Sequence, residues 1–246
     1  MLSYPSIENL YVRDDETHKL VVGVAKRPDF LQVDRWHVTE KIDGMNIRLI
    51  LTWDNGYPHV DIRGRTDKAN LPGDFADSAF GDDGSPYWSQ DSLANKLASG
   101  LSDITGDGDG SGIGELAMIV FGEGYGPGIQ KGGGDYASHK SFRAFDVATF
   151  RVTNGDEYSK PLWRTWDDVV TVAAQLDIDT APVLAVDAST AEVEELVRSM
   201  LTSDVSAAEG TGNAVPEGVI ARTDPYLFDF RGHRVMFKLK GHDLPS

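Results

Sequence analysis

The sequence predicts an α+β fold of antiparallel sheets with flanking helices. Three observations carry that prediction. Most periodic segments are short runs of β-branched and apolar residues; glycine turns, including the hairpin signal Asn55-Gly56, separate them; and only a few amphipathic helices are inserted among them. No internal repeat and no long linker breaks the pattern, so residues 1–246 read as one domain with no appended C-terminal domain.

The segments WHVTE before Lys41 and MNIRLILTW after Gly44 both read as strands, which places Lys41 at a strand-to-strand bend. Asn55-Gly56 then leads into YPHVDIRGR, whose alternation puts Val60 and Ile62 on one face. From Leu71 to Gly114 the chain reads as an irregular surface stretch, with one short helix around Asp91 to Leu101 and a Gly/Asp-rich loop after it. ELAMIVFGEGYG is a buried strand opening into a glycine-rich loop, and FRAFDVATF is another, closed by the Asn154-Gly155 turn. One amphipathic helix begins after Thr165. A second begins at Ser189-Thr190, where STAEVEELVRSML has a hydroxyl cap, early acids and apolar residues at helical spacing. PEGVIART and HRVMFKLK supply the last two strands.

Composition narrows the functional classes. A chain with 40% hydrophobic and 9% aromatic residues can build an ordinary globular core. It has no apolar run of membrane-spanning length and no basic segment followed by a hydrophobic one at its start, so it reads as cytoplasmic with no membrane partner. Without cysteine there are no zinc-thiolate sites or thiol nucleophiles, and any metal must sit on oxygen or imidazole. The six histidines show no metal-ligand spacing. Asp107, Asp109 and Ser111 imitate the start of a calcium loop, but Met118 stands where a bidentate glutamate is needed. The glycines of GEGYGPG lack the Gly-Lys-Ser/Thr ending of a Walker loop.

A net charge of −16 opposes broad electrostatic adhesion to nucleic acid, because such binding relies on Lys and Arg replacing phosphate counterions. The positive residues are, however, grouped. Arg35, Lys41, Arg48, Arg63, Arg65 and Lys68 fall between 35 and 68, and the tail from Arg231 to Lys240 is also basic. The carboxylates crowd into 74–109 and 187–209.

The chemistry-bearing residues stand at strand ends in a fixed order: Lys41 in TEKIDGMN, Arg65 in RGRT, Glu123 in FGEGYG, Phe145-Asp146 in FRAFDV, Glu217 in EGVIART, and Lys238 with Lys240 in FKLK. A lysine amine attacks phosphorus only when unprotonated, so such chemistry needs neighbouring cations, a metal or desolvation to lower a pKa of roughly 10.4. Lys238 and Lys240, two apart on a strand, can turn both side chains to one cleft and hold a phosphate there. Glu217 and Glu123 are carboxylates held on rigid strands, and a carboxylate there can bind Mg²⁺. On pattern alone FKLK also suits an exposed edge strand, and Phe145 also suits a core position. Asp146 is harder to explain as core, since a buried carboxylate needs a partner.

The ordered set, reaching from Lys41 to Lys240, resembles the motifs of the covalent lysyl-nucleotidyltransferases: DNA ligases, RNA ligases and messenger-RNA capping enzymes. Asn46, the segment FGEGYGPGIQKGG and the lead-in YPSIENLY are most similar to the RNA ligase 2 type, although Asp43 stands where that group often carries histidine. The resemblance implies a nucleotidyltransferase (ATP-grasp-like) fold, a single adenylyltransferase domain, and an ATP-dependent RNA ligase that joins 3′-hydroxyl and 5′-phosphate ends. It makes Lys41 the nucleophile that carries AMP, with Lys238 and Lys240 as catalytic phosphate-binding lysines. Glu40, Asp43, Gly44, Asn46, Arg65, Glu123, Phe145, Asp146 and Glu217 become nucleotide contacts, with Arg65 and Glu123 on the ribose side, Phe145 stacked on adenine and Glu217 holding Mg²⁺ or Mn²⁺. The expected partners are RNA ends, in a nicked duplex or a broken strand. They would be held at a basic lip of Arg48, Arg63, Lys131 and Arg231, with a protein partner or a homodimer assisting capture. The rival readings are a DNA ligase, a GTP-dependent capping guanylyltransferase, and a nucleotide-binding adaptor without catalysis.

Overall fold

The computed structural model describes residues 2–81, 89–106, 115–153 and 157–245. The Asn154-Gly155 turn and the Asp107 to Gly112 loop lie outside the described residues. Thirteen strands and six α-helices follow one another along the described chain. β1 (Glu8–Asn9), β2 (Tyr11–Arg13), β3 (Leu20–Ala25) and β4 (Trp36–Lys41) come first. β5 (Met45–Asp54), β6 (Tyr57–Gly64), α1 (Phe75–Phe80), α2 (Gln90–Thr105), β7 (Leu116–Tyr125) and α3 (Gly133–Tyr136) follow. Next are β8 (Ser141–Thr153), β9 (Glu157–Tyr158), β10 (Leu162–Trp163) and α4 (Trp166–Leu176). β11 (Val183–Ala188), α5 (Thr190–Ser199), α6 (Asp204–Ala208), β12 (Gly218–Arg222) and β13 (Met236–Lys240) close the series.

These elements form two compact units. The first comprises Met1–Tyr4 with Gly44–Thr180, the second Pro5–Asp43 with Ala181–Ser246. In the first unit the strand order is β10-β8-β7-β5-β6, all antiparallel, with β9 added against β8. One face of this sheet carries Ile47, Leu49, Leu51, Met118, Val120, Ala144 and Val147, which bury against Leu93, Leu97 and Leu101 of α2 and Val169 and Val172 of α4. The stretch from Leu71 to Gly114 is therefore more than surface. The 93, 97, 101 spacing is one helical stripe, Phe75 is fully buried, and α2 runs longer than the helix expected at 91–101. Thr165 and Asp168 form a capping box that starts α4 at Trp166, where the sequence places it.

In the second unit the order is β1-β13-β12-β4-β11, with β2 and β3 as a separate hairpin. β1 pairs in parallel with β13, and the other pairs of this sheet are antiparallel. Val38, Val219, Ala221, Phe237 and Leu239 form its core face, packed with Trp36, Phe30 and the α5 residues Val193 and Val197. Ser189 and Glu192 box the start of α5, and Trp36 Nε1 donates to Thr190 Oγ1 at 3.0 Å, tying β4 to the helix. β1, β2, β3 and β11 have no counterpart in the sequence reading. The first two are too short to show a period, and β11 pairs with β4 through two register shifts.

Candidate active site

In the second unit, pairing register decides which side chains share a face. Lys41 lies opposite Gly218, and Gly218 opposite Lys240; Thr39, Ile220 and Lys238 form the adjacent row. Because residues in register across a sheet point the same way, Lys41, Lys238 and Lys240 all stand on the face away from Val219 and Leu239. Gly218 lies between two of them at φ +151°, where an added Cβ would sit 2.1 Å from the Leu239 carbonyl oxygen. No side chain then intervenes between Lys41 and Lys240. Glu217, one residue earlier, reaches both: one carboxylate oxygen pairs with Lys41 Nζ and the other with Lys240 Nζ. Burial raises the Glu217 pKa, but Lys41 and Lys240 outweigh it and hold the carboxyl below its ordinary range. Half-buried Lys238 is lowered, first by burial and then by the charges of Lys240 and Lys41.

Asn9 joins this group, and the sequence reading did not single it out. It pairs with Lys238 through the parallel β1–β13 register, and its carboxamide oxygen is buried with no hydrogen-bond partner among the described residues. Its place in the lead-in YPSIENLY was the only signal available. Glu40 does not join it. As the neighbour of Lys41 on a strand it points to the opposite face, where it is almost completely buried. Its carboxylate accepts from Ser203 Oγ and, at 2.8 Å, from the Asp204 amide at the start of α6. Burial raises the Glu40 pKa against those hydrogen bonds. The expected nucleotide contact is thus occupied with capping a helix. Asp43 is exposed at the end of this unit's first segment.

The first unit gathers a second set. Asn46, Glu123 and Arg143 lie in one row across β5, β7 and β8, on the face away from the α2–α4 core. The Asn46 carboxamide oxygen is buried and without a hydrogen-bond partner among the described residues. Gly44 approaches β7 so closely that a Cβ would lie 2.3 Å from the Gly124 carbonyl oxygen, and Gln130 Nε2 donates to the Gly44 oxygen at 3.1 Å. β8 carries a bulge: Phe121 pairs with Asp146 and Gly122 with Ala144, so Phe145 is the extra residue. The bulge takes Phe145 out of the core pattern and leaves its ring half-exposed, edge-on to Tyr4 at 5.0 Å. Asp146 is fully buried and accepts from Tyr4 Oη at 2.7 Å, so its carboxylate fixes the N-terminal strap. Arg65 is exposed just beyond β6.

The basic lip loses one member. Arg48 is 0% exposed and donates to the Gly64 and Leu2 carbonyl oxygens at 2.8 and 3.1 Å and to Asp67 at 2.7 Å. It stands on the inner part of the sheet beside Phe121, where a cation persists only when fully paired. Arg63, Lys131 and Arg231 remain exposed. Among the described residues there is no cluster of three or more acidic or imidazole groups that could hold a metal, and no helix long and apolar enough to cross a membrane.

The family model for RNA ligase matches residues 34–240. A solved structure of a Naegleria gruberi RNA ligase variant with ATP and Mn is 16% identical with a TM-score of 0.54, covering 97% of this chain and 56% of that one. Another variant, with AMP and Mn, is 15% identical with a TM-score of 0.50, covering 96% and 61%. The likeness shows a shared fold, over little more than half of the ligase's length. No individually curated protein sequence matches.

Proposed function

Because the chain belongs to the RNA ligase family, we propose that it is an ATP-dependent RNA ligase of the nucleotidyltransferase, ATP-grasp-like fold, in which Lys41 carries AMP. The observation that supports this most is the gathering of Lys41, Lys238 and Lys240 around one carboxylate on a single sheet face. Three lysines against one glutamate make a polyphosphate-sized concentration of positive charge in a chain of net charge −16.

In the first step the unprotonated Lys41 amine attacks the α-phosphorus of ATP. A P–N bond forms, the bond from α-phosphorus to the bridging oxygen breaks, pyrophosphate leaves, and the amine proton is released. Glu217 orients the amine by direct pairing, while Lys238 and Lys240 neutralise charge on the phosphates as it shifts towards the leaving group. AMP then passes to an RNA 5′-phosphate, and a 3′-hydroxyl displaces it to seal the strand. Both are phosphoryl-type transfers that the same lysines can support. Asn46, Arg65, Glu123 and Phe145 are assigned to the nucleoside and phosphate by resemblance, with Phe145 set off the core pattern by its bulge.

A divalent cation fits Glu217 in one mode. Magnesium commonly takes one or two carboxylates and completes its shell with substrate phosphates and water, which suits Glu217, an ionised carboxylate with no cluster of three acids around it among the described residues. Mg²⁺ or Mn²⁺ there would supply further neutralisation of the phosphate oxygens.

Intact-mass measurement after incubation with ATP and Mg²⁺ tests the reading. We expect a gain of one AMP mapping to Lys41, absent in Lys41→Met, which should still fold with a cooperative melt. An adduct on another residue, or none on folded protein, overturns it. Offering GTP, and then RNA, nicked DNA and diphosphate-ended RNA to the adduct, separates an RNA ligase from a DNA ligase or a capping enzyme.

A further inference from the structure

The hairpin between β12 and β13 presents apolar side chains for which folding gives no reason. Phe230 is 92% exposed, and Leu227 and Phe228 are each 51% exposed. A phenylalanine turned to water forgoes the stabilisation its burial would bring. The segment is nevertheless tightly built. The Asp229 amide donates to the His233 carbonyl oxygen at 2.8 Å and the Gly232 amide to the Asp229 carbonyl oxygen at 2.9 Å. Asp229 Oδ1 accepts from the Arg231 and His233 amides at 2.9 and 2.8 Å, and Gly232 closes the turn at φ +80°. Below it, Phe228 bridges to Arg234 and the Val235 amide donates to the Leu227 carbonyl oxygen at 2.8 Å. Phe230 and Arg231 therefore occupy the apex of an ordered turn.

The Arg231 guanidinium lies 5.1 Å from the centroid of the Phe230 ring, and among the described residues no carboxylate lies within salt-bridge distance of it. Asp229, two residues before it, turns its carboxylate to Arg27 at 3.3 Å, an arginine that also meets Asp29 and Glu8; Asp224 is exposed at the hairpin's base. An exposed aromatic ring carrying an uncommitted cation matches a nucleotide, whose base stacks and whose phosphate pairs. An apolar protein partner would be better served by a surface without charge at its centre.

We propose that the Phe230–Arg231 tip is a binding site for single-stranded RNA, with a base stacked on Phe230 and a phosphate on Arg231. The proposal rests on the RNA ligase reading and adds where the strand is held. Phe230 and Lys240 are ten residues apart along one hairpin arm, at most about 33 Å at the rise of an extended strand. An RNA of about 20 nucleotides is long enough to reach from the reacting end to the tip across that span, and a strand held only at the reacting end need not touch it.

Full-length wild type, Phe230→Ala, Phe230→Trp and Arg231→Ala test this in three assays: auto-adenylylation with ATP, anisotropy binding of labelled RNA of about 20 nucleotides, and sealing of that RNA against strands of about 4 nucleotides. Loss of a stacked base costs about 1–3 kcal/mol, so Phe230→Ala should weaken binding of the long RNA roughly fivefold or more. Phe230→Trp should keep the wild-type affinity, Arg231→Ala should weaken binding of the long RNA, and in the two Phe230 variants auto-adenylylation and sealing of the short strand should be unaffected. Unchanged affinity for the long RNA, or equal loss on both lengths, overturns the proposal. So does loss of self-association in Phe230→Ala with RNA affinity intact, which would identify the tip as a contact between copies of the chain. Wild type that binds RNA through the tip without forming an adduct would instead sink the ligase reading alone.

Discussion

Lys238 is held on the lysine face against its own preference for water. Burial and two neighbouring lysines lower its pKa in the folded protein, so below that value its charge weakens the fold, and stability recovers as pH rises towards the unfolded value of about 10.4. Lys238→Met should therefore raise the melting temperature at neutral pH while sharply reducing adenylylation; thermal melts beside initial rates of AMP incorporation check both halves. Glu217 has the opposite sign. Its depressed pKa adds stability above the unfolded value of about 4.3, and that contribution is lost as pH falls through the folded value. Melting wild type and Glu217→Gln from about pH 6 to pH 3 should show a gap that narrows on the acid side. A constant gap would mean that the two lysine pairs contribute nothing through charge.

At the scale of elements, the bulge in β8 separates two readings of one phenylalanine. A fully buried phenylalanine costs about 3–5 kcal/mol when cut to alanine. Phe145, half-exposed at the bulge, should cost less than about 2 kcal/mol, while the ATP concentration needed for half-maximal adenylylation should rise roughly tenfold. Denaturant titration and ATP dependence of the same variant measure both. The start of β5 makes a second case. With a Gly44 Cβ 2.3 Å from the Gly124 carbonyl oxygen, Gly44→Ala must push two strands apart and should cost about 1–3 kcal/mol. A neutral result there would show that β5 and β7 part easily at this end.

For the whole molecule, charge sets what the proposed RNA substrate would meet. With Arg48 committed to Gly64, Leu2 and Asp67, the exposed cations named for the lip reduce to Arg63, Lys131 and Arg231 in a chain of net charge −16. Three phosphate contacts on a single strand give a slope of roughly −2 in log affinity against log salt. Measured between about 50 and 200 mM salt, a slope demanding six or more contacts would reveal a nucleic-acid surface beyond these residues.

The sequence by itself determined the order of motifs from Lys41 to Lys240, the strands that carry them and the two capped helices, because periodicity, glycine turns and hydroxyl caps act over a few residues. It could not determine which carboxylate would join the lysines. Glu40 and Glu217 both flank strand residues in the string, yet register turns Glu40 into a helix cap on the buried face and joins Glu217 to Lys41 and Lys240. Nor could it reveal that Arg48 is sealed inside a sheet, or that two-residue β1 sets Asn9 beside Lys238. Those outcomes belong to tertiary structure, since a strand's inward and outward faces are fixed only by the partners across which it pairs, and those partners lie far away along the chain.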